Sequence, residues 1–194
     1  MIREVEEIAV AMDSLDYVGR NFPFAADFTA AKEAGAKVYY VDRLMPEYAV
    51  LEEVKGNVIA ANTPVIIAGE KAKQYIIAIA TVADETIEKN LLKGNNEPLA
   101  VAGNVYTLAS GEGATAFHKF DTTNKMSKNS AYLTGNDENV NEVINLSIGI
   151  PDGIEGVEAK TAADHIWYTL GGIRVDKPTK GIFVNGNGKV VLFK

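Results

Sequence analysis

Val38-Tyr39-Tyr40-Val41, Ala49-Val50-Leu51 and Asn62-Thr63-Pro64-Val65-Ile66 return 67 positions later (38 to 105) as Val105-Tyr106-Thr107-Leu108, Ala116-Phe117-His118 and Asn129-Ser130-Ala131-Tyr132-Leu133. Five identities carry the echo: Val38/Val105, Tyr39/Tyr106, Ala49/Ala116, Asn57/Asn124 and Asn62/Asn129. Ile59/Met126, Thr63/Ser130, Val65/Tyr132 and Ile66/Leu133 add similar residues without a gap. The unit reads as strand, loop, strand, Asn-centred turn, strand. Asn suits that turn because its side-chain carbonyl bonds nearby backbone and it tolerates positive φ. Two copies are fewer than a stacking array needs, so the echo predicts a duplicated sandwich and not a solenoid. The competing reading is two β-meanders that look alike only because strands do.

Outward from this repeat the chain is a series of short β-branched and aromatic runs bounded by Gly, Pro, Asn or Asp. They fall at Lys37–Asp42, Tyr48–Val54, Pro64–Gly69, Tyr75–Ala80, Leu99–Val101, Val105–Leu108, Ala116–Phe120 and Ser130–Leu133. Met1–Met12 fits a helical stripe or a strand, and the large/small alternation of Ile8–Met12 favours the strand. Short helices are expected at Asp27–Ala34, before Gly35, and at Asp84–Leu92. Beyond the acidic stretch Asn136–Glu142, Ile144–Ile150 is apolar again and Pro151-Asp152-Gly153 is a turn. A last pattern of three strands, Ile166–Leu170, Gly181–Val184 and Lys189–Lys194, contains Asn185-Gly186-Asn187-Gly188, favoured chemistry for a tight hairpin. The expectation is an all-β fold: a β-sandwich of two related halves over 1–150 and a small C-terminal β-unit over 155–194.

Composition excludes whole classes. The 194 residues contain no cysteine, which removes disulfide scaffolds, Cys-ligated zinc or iron–sulfur sites and thiol catalysis. A net charge of −7 makes nucleic acid a poor partner. No run approaches the roughly 18 apolar residues of a membrane span, and acidic Met1–Leu15 lacks the pattern of a signal peptide. The chain is either cytoplasmic or a piece whose leader and upstream domains lie outside it.

Several segments resemble modules of large cell-surface and secreted proteins of gut and oral Bacteroidales, which are adhesin-like. They are Tyr17–Ala25, Lys37–Val41, Leu51–Ile59, Ile59-Ala60-Ala61-Asn62-Thr63-Pro64-Val65, Asn90–Gly94, Val105–Leu108, Phe117–Phe120 and Asn129–Leu133, in that order. Ala60 stands where the group usually has proline. Gly153–Glu158, Leu170–Val175, Lys177–Val184 and Lys189–Lys194 resemble the C-terminal sorting domain read by the type IX secretion route. That resemblance puts the sorting signal on Gly172, Gly181, Lys189 and Lys194, with Gly186-Asn187-Gly188 departing from the usual Gly-Lys-Lys. The bland alternative is a small capping domain. The resemblance implies a cell-surface or secreted address, and partners that are a surface protein or glycan and, through the tail, the secretion machinery.

Chemistry is sparse. His118 and His165 have no spaced His or Cys partner, so neither a metal site nor a cofactor is expected. Ser110, Ser127 and Ser130 could meet His118 in space, yet no nucleophile elbow is present. Gly103-Asn104 and Gly111-Glu112-Gly113 lack the strand–loop–helix context of a phosphate cradle. Glu52-Glu53 on a strand must face opposite sides, and Asn136–Glu142 lacks EF-hand spacing and reads as a solvated linker. Outward tyrosines among Tyr17, Tyr39, Tyr40, Tyr48, Tyr106 and Tyr168, or Trp167, could stack on sugars; of the consecutive Tyr39 and Tyr40, one is expected to leave the core. The reading is a non-catalytic module of an exported surface protein with a scaffold or adhesion role, with a glycan-binding accessory domain of a carbohydrate-active enzyme as the alternative.

Overall fold

A computed structural model describes residues 6–84, 87–111, 114–135, 141–149, 167–169, 174–175, 181–185 and 190–193. The fold is all-β, with two compact units, Met1–Ile150 and Pro151–Lys194. In the first unit the strands are β1 (Glu7–Ala11), β2 (Tyr17–Arg20), β3 (Ala25–Asp27), β4 (Lys37–Leu44), β5 (Tyr48–Glu53), β6 (Val58–Ile59), β7 (Val65–Ala68), β8 (Gln74–Ala80), β9 (Leu92–Gly94), β10 (Leu99–Ala100), β11 (Val105–Ser110), β12 (Thr115–Lys119), β13 (Lys125–Met126), β14 (Ala131–Thr134) and β15 (Val143–Ile148). One helix, α1 (Thr29–Glu33), interrupts them.

The principal sheet has nine strands in the order β2-β7-β4-β5-β15-β12-β11-β14-β9. It is nearly a palindrome about β15. The 67-residue offset carries β4, β5 and β6 onto β11, β12 and β13, and β7 onto β14 within one residue. β2 and β3 correspond to β9 and β10 too, but at an offset of 73: Arg20 opposite Val65 matches Lys93 opposite Tyr132, and Ala26 opposite Ile59 matches Leu99 opposite Met126. The extra six residues lie where the first half carries α1.

That helix is stopped by a glycine in the left-handed region. Gly35 (φ 94°) follows the cap residue Ala34, Ala36 N–H donates to the Ala31 carbonyl at 2.9 Å and Gly35 N–H to Lys32 at 2.9 Å, closing the last turn. Asn62 (φ 61°) and Asn129 (φ 59°), the repeated Asn positions, both adopt the left-handed conformation expected of them.

Two cores result from the curl of the large sheet. One face of its strands surrounds Tyr39, Val41, Ala49, Leu51, Ile66, Leu92, Tyr106, Phe117, Leu133 and Ile144, drawn from both halves, so the sheet is barrel-like. The outer face of the first half packs under a second sheet, β1-β8-β3-β6, through Val10, Met12, Val18, Phe22, Phe28, Val38, Val65, Ile67, Tyr75 and Ile77. Its counterpart in the second half is only the β10-β13 ribbon over Val105, Met126 and Tyr132.

Three expectations are corrected by these placements. Tyr39 and Tyr40 do face opposite sides, yet both sides are covered: Tyr39 fills the barrel and Tyr40 packs against the second core. Ala49 and Ala116 also face differently, because pairing in the β4–β5 hairpin shifts at Val41/Arg43, whereas β11–β12 pairs without a break. Asp84–Leu92 is not a helix among its described residues. Tertiary anchors hold it extended: the Asp84 carboxylate accepts from Val58 N–H at 2.8 Å, Leu91 N–H donates to Val41 at 2.8 Å, and Asn90 Nδ2 donates to Pro64 at 2.8 Å.

The second unit pairs β16 (Trp167–Thr169), β17 (Arg174–Val175), β18 (Gly181–Asn185) and β19 (Val190–Phe193) in the order β17-β16-β18-β19, all antiparallel. Pairing of Val184 with Val190 shows the final hairpin. Its Gly186–Gly188 turn lies outside the described residues.

Candidate functional site

The sequence from Tyr17 to Ala25 runs strand, Asn21, then Phe22-Pro23-Phe24 into the next strand. Proline fixes φ and withholds a donor, so the connection bridges two sheets without joining either. Its first residues lock the barrel. Asn21 N–H donates to Asn129 O at 3.1 Å, Asn21 Nδ2 to Asn96 Oδ1 at 2.7 Å, and Asn96 Nδ2 to Asn62 Oδ1 at 2.6 Å. This relay ties the end of the edge strand β2 to both turns whose asparagines repeat.

Beside the relay a groove of about 600 Å³ opens between the halves. Its walls are Ile8–Val10 of β1, Arg20, Phe22–Phe24 and the Ser127–Ser130 turn. Phe22 and Phe24 pack with ring centroids 5.7 Å apart, and Phe22 meets Phe28 edge-on at 5.8 Å, so the apolar wall is braced from the core. Among the described residues the charged groups lining the groove are Arg20 and Lys128. On a chain of net charge −7 that is a local inversion of sign.

Arg20 is the unusual member. Its guanidinium donates from Nη1 to its neighbour's carbonyl, Gly19 O, at 3.0 Å, and no carboxylate among the described residues lies within ion-pair distance. Burial pushes its pKa below the ordinary arginine value, and the more distant Asp13 carboxylate opposes that shift. Arginine stays cationic in proteins, so a half-buried guanidinium lacking an acid partner is suited to a carboxylate or other anion brought by a ligand.

The residues singled out in the sequence are scattered. Ser127 and Ser130 line the groove, whereas His118 lines a separate hollow with Gly111, Ala114, Ala116, Val143 and Asn145; Ser110 ends β11 opposite Thr115. The His118 Nε2 is buried without a hydrogen-bond partner among the described residues. No group of three or more metal-ligating side chains occurs among the described residues. Tyr39 and Tyr106 are buried, and among the described side chains Tyr48, 37% exposed, is the one exposed tyrosine. No tyrosine platform forms among the described side chains. Of the tail positions, Gly181 begins β18 opposite Phe193, while Gly172, Lys189 and Lys194 lie outside the described residues, as do His165 and 136–140. Sequence reading missed Arg20 and Phe24. The available signal was a cation set between a strand and Phe-Pro-Phe, a bulky apolar step outside any alternating pattern.

No helix among the described residues is long and apolar enough to cross a membrane. Comparison with protein-family models, curated proteins and solved structures finds no match.

Proposed function

We propose that the chain is a non-catalytic module of an exported cell-surface protein, with a scaffold or adhesion role, and that it holds its ligand in the Arg20 groove. The observation that carries this reading is a braced apolar groove whose charged lining among the described residues is Arg20 and Lys128, with no described carboxylate within ion-pair distance of Arg20. The barrel positions it rigidly, since Arg20 ends β2 and the opposite wall is the turn leading into β14. A surface protein or a glycan bearing acidic groups fits that lining, the glycan being the alternative that makes the chain an accessory binding domain.

The test is a binding screen of the purified protein against surface proteins and a glycan array, with Arg20→Ala and Phe24→Ala run in parallel. Each substitution is expected to weaken the acidic ligand about tenfold or more, with the far-UV circular dichroism spectrum of the parent retained. Lys128→Ala at the exposed rim should cost only a few-fold and mainly at low salt. Binding that ignores both Arg20→Ala and Phe24→Ala would refute the groove.

The tail carries a second expectation. Deleting 172–194, which removes β17, β18 and β19, should abolish surface display in a type IX-secreting host while the first unit still folds. Undiminished display would leave the C-terminal unit as a cap and nothing more.

A further inference from the structure

β1 forms one edge of the β1-β8-β3-β6 sheet. Its ladder phase is fixed at both ends: Ile79 N–H donates to Glu6 O at 2.8 Å and Met12 N–H to Lys73 O at 2.9 Å. Hydrogen-bonded pairs alternate along an antiparallel ladder, so Glu6, Ile8, Val10 and Met12 turn their backbone groups toward β8. The N–H and C=O groups of Glu7, Ala9 and Ala11 therefore face away from β8, on a side where β1 pairs with no strand among the described residues. Ile8, Ala9 and Val10 are also one wall of the Arg20 groove, so this edge and an arginine with no described carboxylate within ion-pair distance border the same space. Proteins commonly blunt an edge with lysine, proline or a bulge. β1, Glu7-Ile8-Ala9-Val10-Ala11, has no lysine or proline and pairs with β8 in unbroken register.

We propose that the groove takes an extended acidic peptide of a partner protein, which adds to the sheet as a strand beside β1 and places an aspartate or glutamate on Arg20. This rests on the reading of the groove as the ligand site and names the ligand's chemistry. Strand addition supplies the main-chain partners that Glu7, Ala9 and Ala11 offer at two-residue spacing, while alternate side chains supply specificity. Matching the five residues of β1 takes a segment of about 16 Å at roughly 3.3 Å per residue. Side chains two apart on the added strand point into the groove. One meets Phe22 and Phe24 and the next reaches Arg20, which selects an apolar residue and an acidic residue at i and i+2. A sugar acid could use Arg20 but would leave the row of backbone groups to water, which is why the peptide is favoured.

The probe is an array of blocked octapeptides with threonine at outward positions and all pairings of apolar, acidic, basic and amide residues at two inward positions. Binding to the full-length protein is read by fluorescence anisotropy. The tightest binders are expected to pair valine, leucine or phenylalanine with aspartate or glutamate. Arg20→Gln should weaken these roughly 10- to 100-fold and leave their glutamine analogues nearly unchanged. Ala9→Pro removes an N–H that no described residue of the fold accepts, and should weaken every binder at least about tenfold with the circular dichroism spectrum retained. Should that variant misfold, peptides N-methylated at alternate residues take its place and are expected to lose binding equally. An array without binders, a preference for basic peptides, or affinity indifferent to both Ala9→Pro and N-methylation overturns the proposal. An acidic glycan whose binding depends on Arg20 but not on Ala9 overturns strand addition while leaving the groove as the ligand site. Dimers seen by sedimentation and lost in Ala9→Pro also overturn it, because the edge then belongs to a second copy.

Discussion

Phe117→Ala is expected to lower the unfolding free energy of the first unit by about 3–5 kcal/mol, the range for deleting a fully buried phenylalanine. Phe117 is 0% exposed and sits between Leu108 and Ile144 in adjacent pairs, at the seam where β12 meets β15. Its neighbours in the barrel core come from both halves, since Tyr39, Leu51 and Ile66 belong to the same cluster as Tyr106 and Leu133. The loss should accordingly be felt across the whole unit. Urea unfolding followed by far-UV circular dichroism measures the size of the effect; tryptophan fluorescence does not serve, because the single Trp167 lies in the other unit. Hydrogen exchange shows its reach. Slow amides of β4, β5 and β7 should lose protection together with those of β11, β12 and β14. Loss confined to the second three would mean that the halves fold independently.

Gly94→Ala is expected to cost about 3 kcal/mol, the upper part of the over-packing range. A β-carbon there would overlap Asn21 Cγ and Oδ1 and lie 2.8 Å from its Cβ. Asn21 cannot simply swing aside, because it is 2% exposed and its amide and backbone hold Asn96 and Asn129. Its Oδ1 is already buried without a hydrogen-bond donor among the described residues, so Asn21→Ala alone should cost only about 1 kcal/mol. The double variant tests the geometry. If the two residues clash as described, Asn21→Ala/Gly94→Ala should be at least about 1 kcal/mol more stable than the sum of the single losses predicts. Simple additivity in thermal or chemical melts would place the strain of Gly94→Ala elsewhere.

Local chemistry made the all-β fold, the repeated Asn turns and α1 legible in the sequence. An Asn in the left-handed region and a Gly ending a helix state their conformations through their own side chains, without reference to distant residues. What stayed hidden depended on tertiary placement. The repeat extends to β2/β9 and β3/β10, but α1 shifts the offset from 67 to 73, and an ungapped comparison stops there. Tyr40 is apolar enough for either a core or a surface, and only the second sheet decides which. Asp84–Leu92 has helical propensity, which contacts from Val58, Val41 and Pro64 override. Arg20 was unreadable as a site residue because its significance lies in a missing partner and in a turn more than a hundred positions away, Ser127–Ser130.

The placement of β15 sets a timetable for the chain. Its counterpart by position in the first half, β8, joins the outer sheet beside β3, but β15 runs parallel to β5 and antiparallel to β12. Asn145 is thereby opposite Tyr48, almost a hundred positions earlier in the chain. Loop closure of that length must be achieved before the contact returns any free energy, which is the signature of a slow, high-contact-order search. Until β15 arrives, β5 and β12 are both edges and the barrel has no keystone. A polypeptide made from its N-terminus therefore stays open, and threadable, until nearly all of the first unit has been synthesised.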